Sequence, residues 1–435
     1  MLVAAASLLL GGCGKKDAEK DESPKPAEPA AETAQGSEGS SVTGEAKLGL
    51  ILGLARFEVE NNQVTAKPLP ARADFLYQKD GEWIMAGFED ADSNVFHKVM
   101  AYKGADGRES LLSFGGMGAF VKRWTLADGE LKAETLWEED FGGRWSRMRD
   151  AEIGDLYSDG KDAIAIATHD QGIVAILRDH GDRFELKKID QEPNTFVHEI
   201  EIGDVDGDGI LEVYATPSEP NRIGVDVQTG QVVRYIPQKD EGREVVADLG
   251  NRHAKEIFVG DMDGDGKDEL YVAVEAKTSG SGASLTIDEP VEIRRYEAGT
   301  PPDQGVVVAT LPDRFTRFLT VGDPDGSGKK VMIAAAFRSG VWLLTPGDDP
   351  SEPWKVENID RDSSGFEHTS LFADLDQDGK DELYVAADEQ GEIRRYVWIN
   401  GEVKRETIYK REGPPRATLT WNMMPVAPRL VVGSP

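Results

Sequence analysis

The chain predicts an all-β fold, a β-propeller of seven four-stranded blades, with eight or six as the alternatives, closed into a ring by pairing its N- and C-terminal strands. Three observations predict it. An acidic loop, Asp-x-Asp-x-Asp-Gly-x-x-Glu, occurs three times. Short β-rich runs flank each copy on both sides. With two weaker copies, the loops start at 155, 204, 261, 323 and 374, in steps of 49, 57, 62 and 51 residues. A four-stranded repeat of roughly 40–50 residues is the period of a propeller blade.

The loops carry metal chemistry. The first presents Asp204, Asp206, Asp208 and Glu212, the second Asp261, Asp263, Asp265 and Glu269, the third Asp374, Asp376, Asp378 and Glu382. Carboxylates at positions 1, 3, 5 and 9 converge on one hard cation. The backbone carbonyl at position 7 (Ile210, Lys267, Lys380) adds an oxygen, and Gly at position 6 permits the sharp turn. Ca²⁺ takes six to eight such oxygens, so Ca²⁺ is the expected ion. The Asp323 loop keeps Asp323 and Asp325 but has Ser327 at position 5 and Val331 at position 9, so it predicts weak binding. The Asp155 loop lacks acids at positions 3 and 9 and predicts weak binding or none.

An EF-hand would flank each loop with helices. Here Glu256–Gly260 precedes the second loop, and Glu269–Val274 and Glu382–Ala387 follow the second and third. These runs make each loop a strand-to-strand connection, and a second hairpin completes the unit. Its turn is clearest at Asn400-Gly401, a pair suited to a two-residue hairpin.

Residues 97–136 read as a further unit without an acidic loop. At the C-terminus, Arg416–Trp421 and Arg429–Val432 read as the first two strands of a last blade. Its missing hairpin is Ala73–Tyr77 with Trp83–Ala86, which would join the chain ends and remove exposed sheet edges. Residues 47–67 read as another hairpin, the origin of the eight-blade alternative. The Gly/Ser-rich insert at Ser279–Ser284 reads as a flexible loop.

The loops at 204–216, 261–274 and 374–387, and partially those at 155–168 and 323–336, resemble the FG-GAP/VCBS repeat family, the calcium-loop propellers that include the integrin α head. The resemblance spans about 95–435. It implies calcium sites between the first two strands of a blade. It leaves the ligand open, since the fold hosts adhesion, binding and polysaccharide-cleaving proteins.

Residues 1–12 resemble a bacterial lipoprotein signal, with an apolar run Val3–Leu10 before Gly11, Gly12 and Cys13, although no Lys or Arg precedes that run. Cys13 is then the lipidated N-terminus and the only cysteine, so no internal disulfide forms. Residues 13–45 are the lipidated cysteine and a disordered tether of Lys, Glu, Pro, Ala, Ser and Gly. Residues 46–435 are the propeller. Gly14 after the cysteine points to the outer membrane, on its periplasmic or surface side.

The net charge is −31. Nucleic acid is a poor partner for such a chain. No Gly-x-Ser-x-Gly, His-Glu-x-x-His or phosphate-binding loop is present. One register does stand out. Six residues before each loop start lies a base: Arg149, His198, Lys255, Arg317 and His368. Extending the count to the degenerate blades adds His97 and Arg416. These seven open the innermost strands, which line a propeller's channel, at the end opposite the acidic loops. They predict either a cationic ring that binds an anionic group, with binding that tightens toward the imidazole pKa of about 6.5, or bases paired with neighbouring acids such as Glu199 and Glu256.

The expected function is therefore a lipid-anchored, calcium-stabilised module of the cell envelope that binds a protein or glycan. The alternatives are a lyase or hydrolase on acidic polysaccharide, where cations neutralise a uronate and a base removes the adjacent proton, and a structural part of an envelope complex. A Cys13→Ala chain should leave the membrane fraction and become soluble. Unchanged fractionation would refute the anchor.

Overall fold

The computed structural model describes residues 46–142, 145–219, 229–280 and 284–433. The lipoprotein signal, Cys13 and the tether lie outside the described residues. The fold is an all-β propeller. Among the described residues, no helix is long and apolar enough to cross a membrane.

The described residues form 31 strands. Five four-stranded antiparallel sheets follow the order of the sequence: β9(Met148–Gly154) to β12(Phe184–Gln191), β13(Phe196–Gly203) to β16(Glu241–Asp248), β17(Ala254–Gly260) with β18(Glu269–Val274), β21(Val291–Tyr296) and β22(Val306–Leu311), β23(Thr316–Gly322) to β26(Lys355–Asp360), and β27(Ser370–Ala373) to β30(Glu402–Lys410). The remaining sheet has nine strands. It holds β5(Val95–Lys103) to β8(Glu130–Glu139), and it joins β31(Thr418–Val426) to β1(Gly49–Glu60), β3(Ala71–Lys79) and β4(Glu82–Asp90).

Burial grades across each sheet. The second strands are small and apolar, and β10(Ala163–Thr168), β14(Glu212–Ser218), β18 and β28(Glu382–Ala387) are buried along their whole length. The fourth strands β12, β16 and β30 are largely exposed. The core is accordingly divided into slabs between neighbouring sheets. One slab packs Met100, Leu112 and Phe114 against Ile164, Ile166 and Leu177. Another packs Leu50, Leu52 and Leu76 against Tyr384, Ala386 and Ile393. A third packs Ile51 and Phe75 against Phe96, Val99 and Trp124. The first strand of each sheet also lies against the first strand of the next, from β5 through β9, β13, β17, β23 and β27 to β31, and β31 lies against β5.

Two sequence expectations need correction. The last blade's second strand is β1, which pairs β31 on one side and β3 on the other. Arg429–Val432 is not a strand. Pro428 has no N–H to give a ladder and opens a 3₁₀ turn, Pro428–Leu430. The expected hairpin at 47–67 exists, since β2(Gln63–Pro68) pairs the outer half of β1, but β1 itself belongs to the terminal sheet. The insert connects two short paired strands, β19(Lys277–Ser279) and β20(Thr286–Glu289), as a loop between strands should. Asn400 and Gly401 both take positive φ between β29(Glu392–Ile399) and β30, as a two-residue turn requires.

A single side-chain amide ties the last strand of the fold to β5. Buried Asn422 on β31 accepts from Val99 N–H through Oδ1 at 2.9 Å and donates to Val99 O through Nδ2 at 3.1 Å. Asn422→Ala leaves both backbone groups unsatisfied. It should cost about 2–4 kcal/mol, read as a lower urea midpoint at unchanged slope.

Candidate functional site

Both ends of the inner strands carry charge. At one end, the five acidic loops share a backbone template. The position-1 carboxylate accepts the N–H groups of positions 5 and 6. Asp204 takes Asp208 and Gly209 at 3.0 and 2.8 Å, and Asp374 takes Asp378 and Gly379 at 3.0 and 2.8 Å. Asp323 takes Ser327 and Gly328 at 3.1 and 2.6 Å, and Asp155 takes Asp159 and Gly160 at 3.0 and 2.8 Å. Asp261 deviates, taking Gly264 at 2.6 Å and Gly266 at 3.0 Å. Position 6 is left-handed in every loop, from Gly160 at φ 77° to Gly379 at 89°.

Three acidic clusters suited to a metal ion result: Asp204, Asp206 and Asp208; Asp261, Asp263, Asp265 and Glu269; Asp374, Asp376 and Asp378. Glu212 and Glu382 stand outside their clusters. Arginines from the third strands hold them, Arg234 at 2.6 Å from Glu212 and Arg395 at 2.8 Å from Glu382, with help from Tyr214 and Tyr384. Glu269 meets Arg295 at 3.2 Å yet stays in its cluster. Ile210, Lys267 and Lys380 give their N–H groups to the position-5 carboxylates. Asp323 and Asp325 form no three-acid cluster among the described residues. Asp376 Oδ2 is buried with no hydrogen-bond partner, and burial beside Asp378 raises the Asp376 pKa, so this cluster is short of positive charge.

At the other end, each inner strand except β27 carries a β-bulge. Along β5, β17 and β23 the ladder skips His97, Lys255 and Arg317; along β9 it skips Arg149, along β13 His198 and Glu199, and along β31 Trp421. A bulge breaks the in-out alternation and re-aims side chains. Adjacent residues therefore line one cavity of about 250 Å³ on the channel: His97 with Lys98, Arg149 with Asp150, Lys255 with Glu256, and Trp421 with Asn422.

The seven predicted bases do not share one environment. His97, Arg149, His198, Lys255 and Arg317 form an arc. Arg149 donates to His198 Nδ1 at 3.2 Å and lies 5.0 Å from the Trp421 ring, which His97 meets edge-on at 4.5 Å. Lys255 and Arg317 both bind Glu367, at 3.0 and 2.8 Å. Burial raises the Glu367 pKa, but the Arg317, Lys255 and Arg149 charges outweigh it and hold the pKa down to about 2. His368 departs from the arc, fully buried, its Nδ1 donating to Ala336 O at 2.6 Å and its Nε2 bonded to Ser363 at 2.7 Å. Arg416 pairs with Glu389 at 2.5 Å. Its place in the arc belongs to Trp421, because the bulge sits there.

The expected histidine titration near pH 6.5 is also corrected. Burial, then the Arg149 charge, pushes His97 and His198 well below that value, and burial takes His368 to about 4. These imidazoles are neutral at physiological pH. His97 Nδ1 donates to Met148 O at 2.9 Å, which leaves its Nε2 an acceptor. The donors of the arc are Arg149, the second ring nitrogen of His198, and the Trp421 Nε1–H, which is buried and finds no acceptor.

Sequence reasoning missed the aromatic partners of these bases. Arg147 lies 4.3 Å from Trp145, Arg314 4.8 Å from Phe315, Arg317 5.0 Å from Phe366, and Arg338 5.2 Å from Phe337. All flank the strand ends opposite the acidic loops. The signal was an Arg beside or near an aromatic at the head of a repeat. Phe315, Phe366 and Trp421 are half-buried and present part of each ring to solvent.

No family profile matches the chain, and no curated protein is significantly similar to it. Solved structures do share the fold. One is described as a "putative 6-phosphogluconolactonase" from Bacteroides fragilis, at 15% identity and TM-score 0.53, covering 89% of this chain and 100% of that one. Another, from Bacteroides uniformis and described in the same words, has 10% identity and TM-score 0.52 over 88% and 100%.

Glu275 supplies a pH test. Burial raises its pKa to about 7, against the charges of Arg317, 3.8 Å away, and of Lys255. A carboxyl with a raised folded-state pKa favours folding when protonated, and that contribution is lost as pH rises through about 7. Glu275→Gln should therefore stabilise the chain at pH 8 by roughly 1–2 kcal/mol. By pH 5 the difference should vanish. Melting curves at the two pH values decide it.

Proposed function

We propose that this chain is a calcium-binding, seven-bladed propeller of the FG-GAP/VCBS type whose channel mouth binds an acidic glycan. The observation that carries the reading is the donor-only group of Arg149, His198 and Trp421 beside half-buried aromatic rings. Sugar rings stack on aromatic faces, and a uronate carboxylate is the acceptor those donors lack. The seven-blade count rests on the sequence of neighbouring inner strands, β5, β9, β13, β17, β23, β27 and β31, with β31 against β5. It rests also on the β1–β31 ladder that pairs the chain ends. Ca²⁺ is the ion of choice for the loops because the clusters offer only hard carboxylate oxygens. Cys13 would tether the domain to the envelope at the outer membrane.

A second reading is hydrolysis, in line with the lactonase activity named for the two structural neighbours. It is favoured by Glu256 and Glu275. Burial raises each to about 7, the range in which a carboxyl serves as general acid or base.

Calorimetry with a galacturonate trimer and a neutral galactose trimer tests the binding reading. The acidic trimer should bind, the neutral one should not, and Arg149→Ala or Trp421→Ala should weaken binding by about tenfold or more. Chelator should lower the melting temperature, because unscreened loop carboxylates repel one another. Equal affinity for both trimers would overturn the anionic site. New ultraviolet absorbance from unsaturated uronate, or released acid from a sugar lactone, would turn the reading to an enzyme.

A further inference from the structure

The face that carries the channel mouth is not evenly charged. In three places its bases are spent on neighbouring acids. Arg252 binds Glu292 and Glu289 at 2.7 and 3.3 Å, Arg411 binds Asp388 at 2.5 Å, and Arg416 binds Glu389 at 2.5 Å. The sheet β23–β26 differs. Arg314 stands just ahead of β23, and Arg338 stands between β24(Val331–Ala336) and β25(Val341–Thr345). Among the described residues neither guanidinium meets an acid, in a chain of net charge −31. Arg314 Nε is buried and finds no acceptor.

One carboxylate builds this pair. Buried Asp313 accepts Arg314 N–H at 2.6 Å through one oxygen, and the N–H groups of Arg338 and Ser339 at 2.7 and 2.6 Å through the other. Phe337 N–H donates to Phe315 O at 3.1 Å. The two loops are thereby fixed side by side. Arg314 lies 4.8 Å from the Phe315 ring, Arg338 lies 5.2 Å from the Phe337 ring, and the two rings are 5.4 Å apart. A guanidinium held over a ring keeps its N–H edge free for a carboxylate.

The pair is continuous with the mouth. Phe315 meets Arg317 at 5.6 Å, Arg317 meets Phe366 at 5.0 Å, and Phe366 meets Trp421 edge-on at 6.2 Å. Rings and guanidinium groups therefore run without a break from Trp421 outward to Arg338. The channel axis offers no such route. Past the arc the inner strands present Asp150, Glu152, Glu199, Glu201 and Glu256, and Lys98 among them is held by Asp150 at 3.0 Å and by Glu152. An acidic chain seated at the mouth thus meets acids along the axis and free bases across the face.

Resting on the acidic-glycan reading above, we propose that the ligand is a polymer, and that its chain runs outward from Trp421 over Phe366 and Phe315 to a second carboxylate subsite at Arg314 and Arg338. Both subsites sit on one rigid face, so a chain bound at the first reaches the second at high effective concentration. The gain appears only in oligomers long enough to span the two.

Calorimetry on the full-length chain compares a galacturonate trimer with a hexamer. Arg314→Ala with Arg338→Ala should weaken the hexamer by about tenfold or more and leave the trimer as tight as in wild type. A hexamer also offers the mouth several registers, a gain the variant keeps, so the readout is the ratio of hexamer to trimer affinity in the two proteins. An equal ratio in wild type and variant, with the trimer bound, overturns the outward track and leaves the anionic mouth standing. No binding of either oligomer by wild type overturns both. Melting curves establish that the variant is folded. Should the pair not fold, exposed Arg338 is changed alone, and Arg338→Ala should weaken the hexamer by about threefold or more with the trimer unchanged.

Discussion

The extra residue in every inner strand but β27 is the constraint from which the rest of the channel follows. A regular strand sends one of every two side chains to the axis. The bulges at His97, Arg149, Lys255 and Trp421 send two neighbours there instead. The pairs His97–Lys98, Arg149–Asp150 and Lys255–Glu256 therefore stack two charge layers along one short channel. Without the bulge, one member of each pair would be driven into the slab between sheets, where a charge has no partner. With it, both reach the polar cavity on the channel.

The two layers balance only partly, and the geometry shows why. A buried charge is tolerated when an opposite charge and hydrogen bonds meet it. Glu367 meets two bases directly and a third through space, so it stays ionised deep in the protein. On the acidic side Lys98 is one cation among five carboxylates. Burial and neighbouring carboxylates then push Glu199 and Glu201 well above the usual range. The basic layer is nearly self-satisfied around Glu367, while Arg149 reaches that carboxylate only through space and donates directly to His198.

Local features were legible in the sequence, and features that depend on pairing were not. The acidic loops, their left-handed glycines and the Asn400-Gly401 turn are written in consecutive residues, because a turn is decided within about nine positions. The closing strand was misplaced. Arg429–Val432 has the apolar pattern of a strand, whereas β1 lies some 370 residues away, and nothing in either segment names its partner. The register count failed at Arg416 for a related reason. Counting back from a loop start assumes the same strand length in each blade, and β31 has no acidic loop to count from. The structural equivalent is Trp421, five residues later, and an aromatic cannot be found by searching for bases. The fate of Glu212 and Glu382 was equally hidden, since Arg234 and Arg395 come from the neighbouring strand, whose pairing the sequence does not state.

The loops at the far end are linked to one another as well as to their own sheets. Asp268 accepts from Asp204 N–H at 2.8 Å, Lys330 donates to Asp261 O at 2.6 Å, and Asp381 accepts from Asp323 N–H at 2.8 Å. In each case the eighth residue of one loop grips the first residue of the loop before it. An ion held by the first, third and fifth carboxylates of one loop therefore also fixes the anchor that its neighbour uses. The distance to the channel mouth limits what such an ion can do there. Six residues of strand span about 20 Å, two Debye lengths at physiological salt. A loop cation cannot touch or steer a ligand at Arg149 and Trp421. Its effect must pass through the strands, by holding their loop ends in register so that the bulges at the other ends keep their aim.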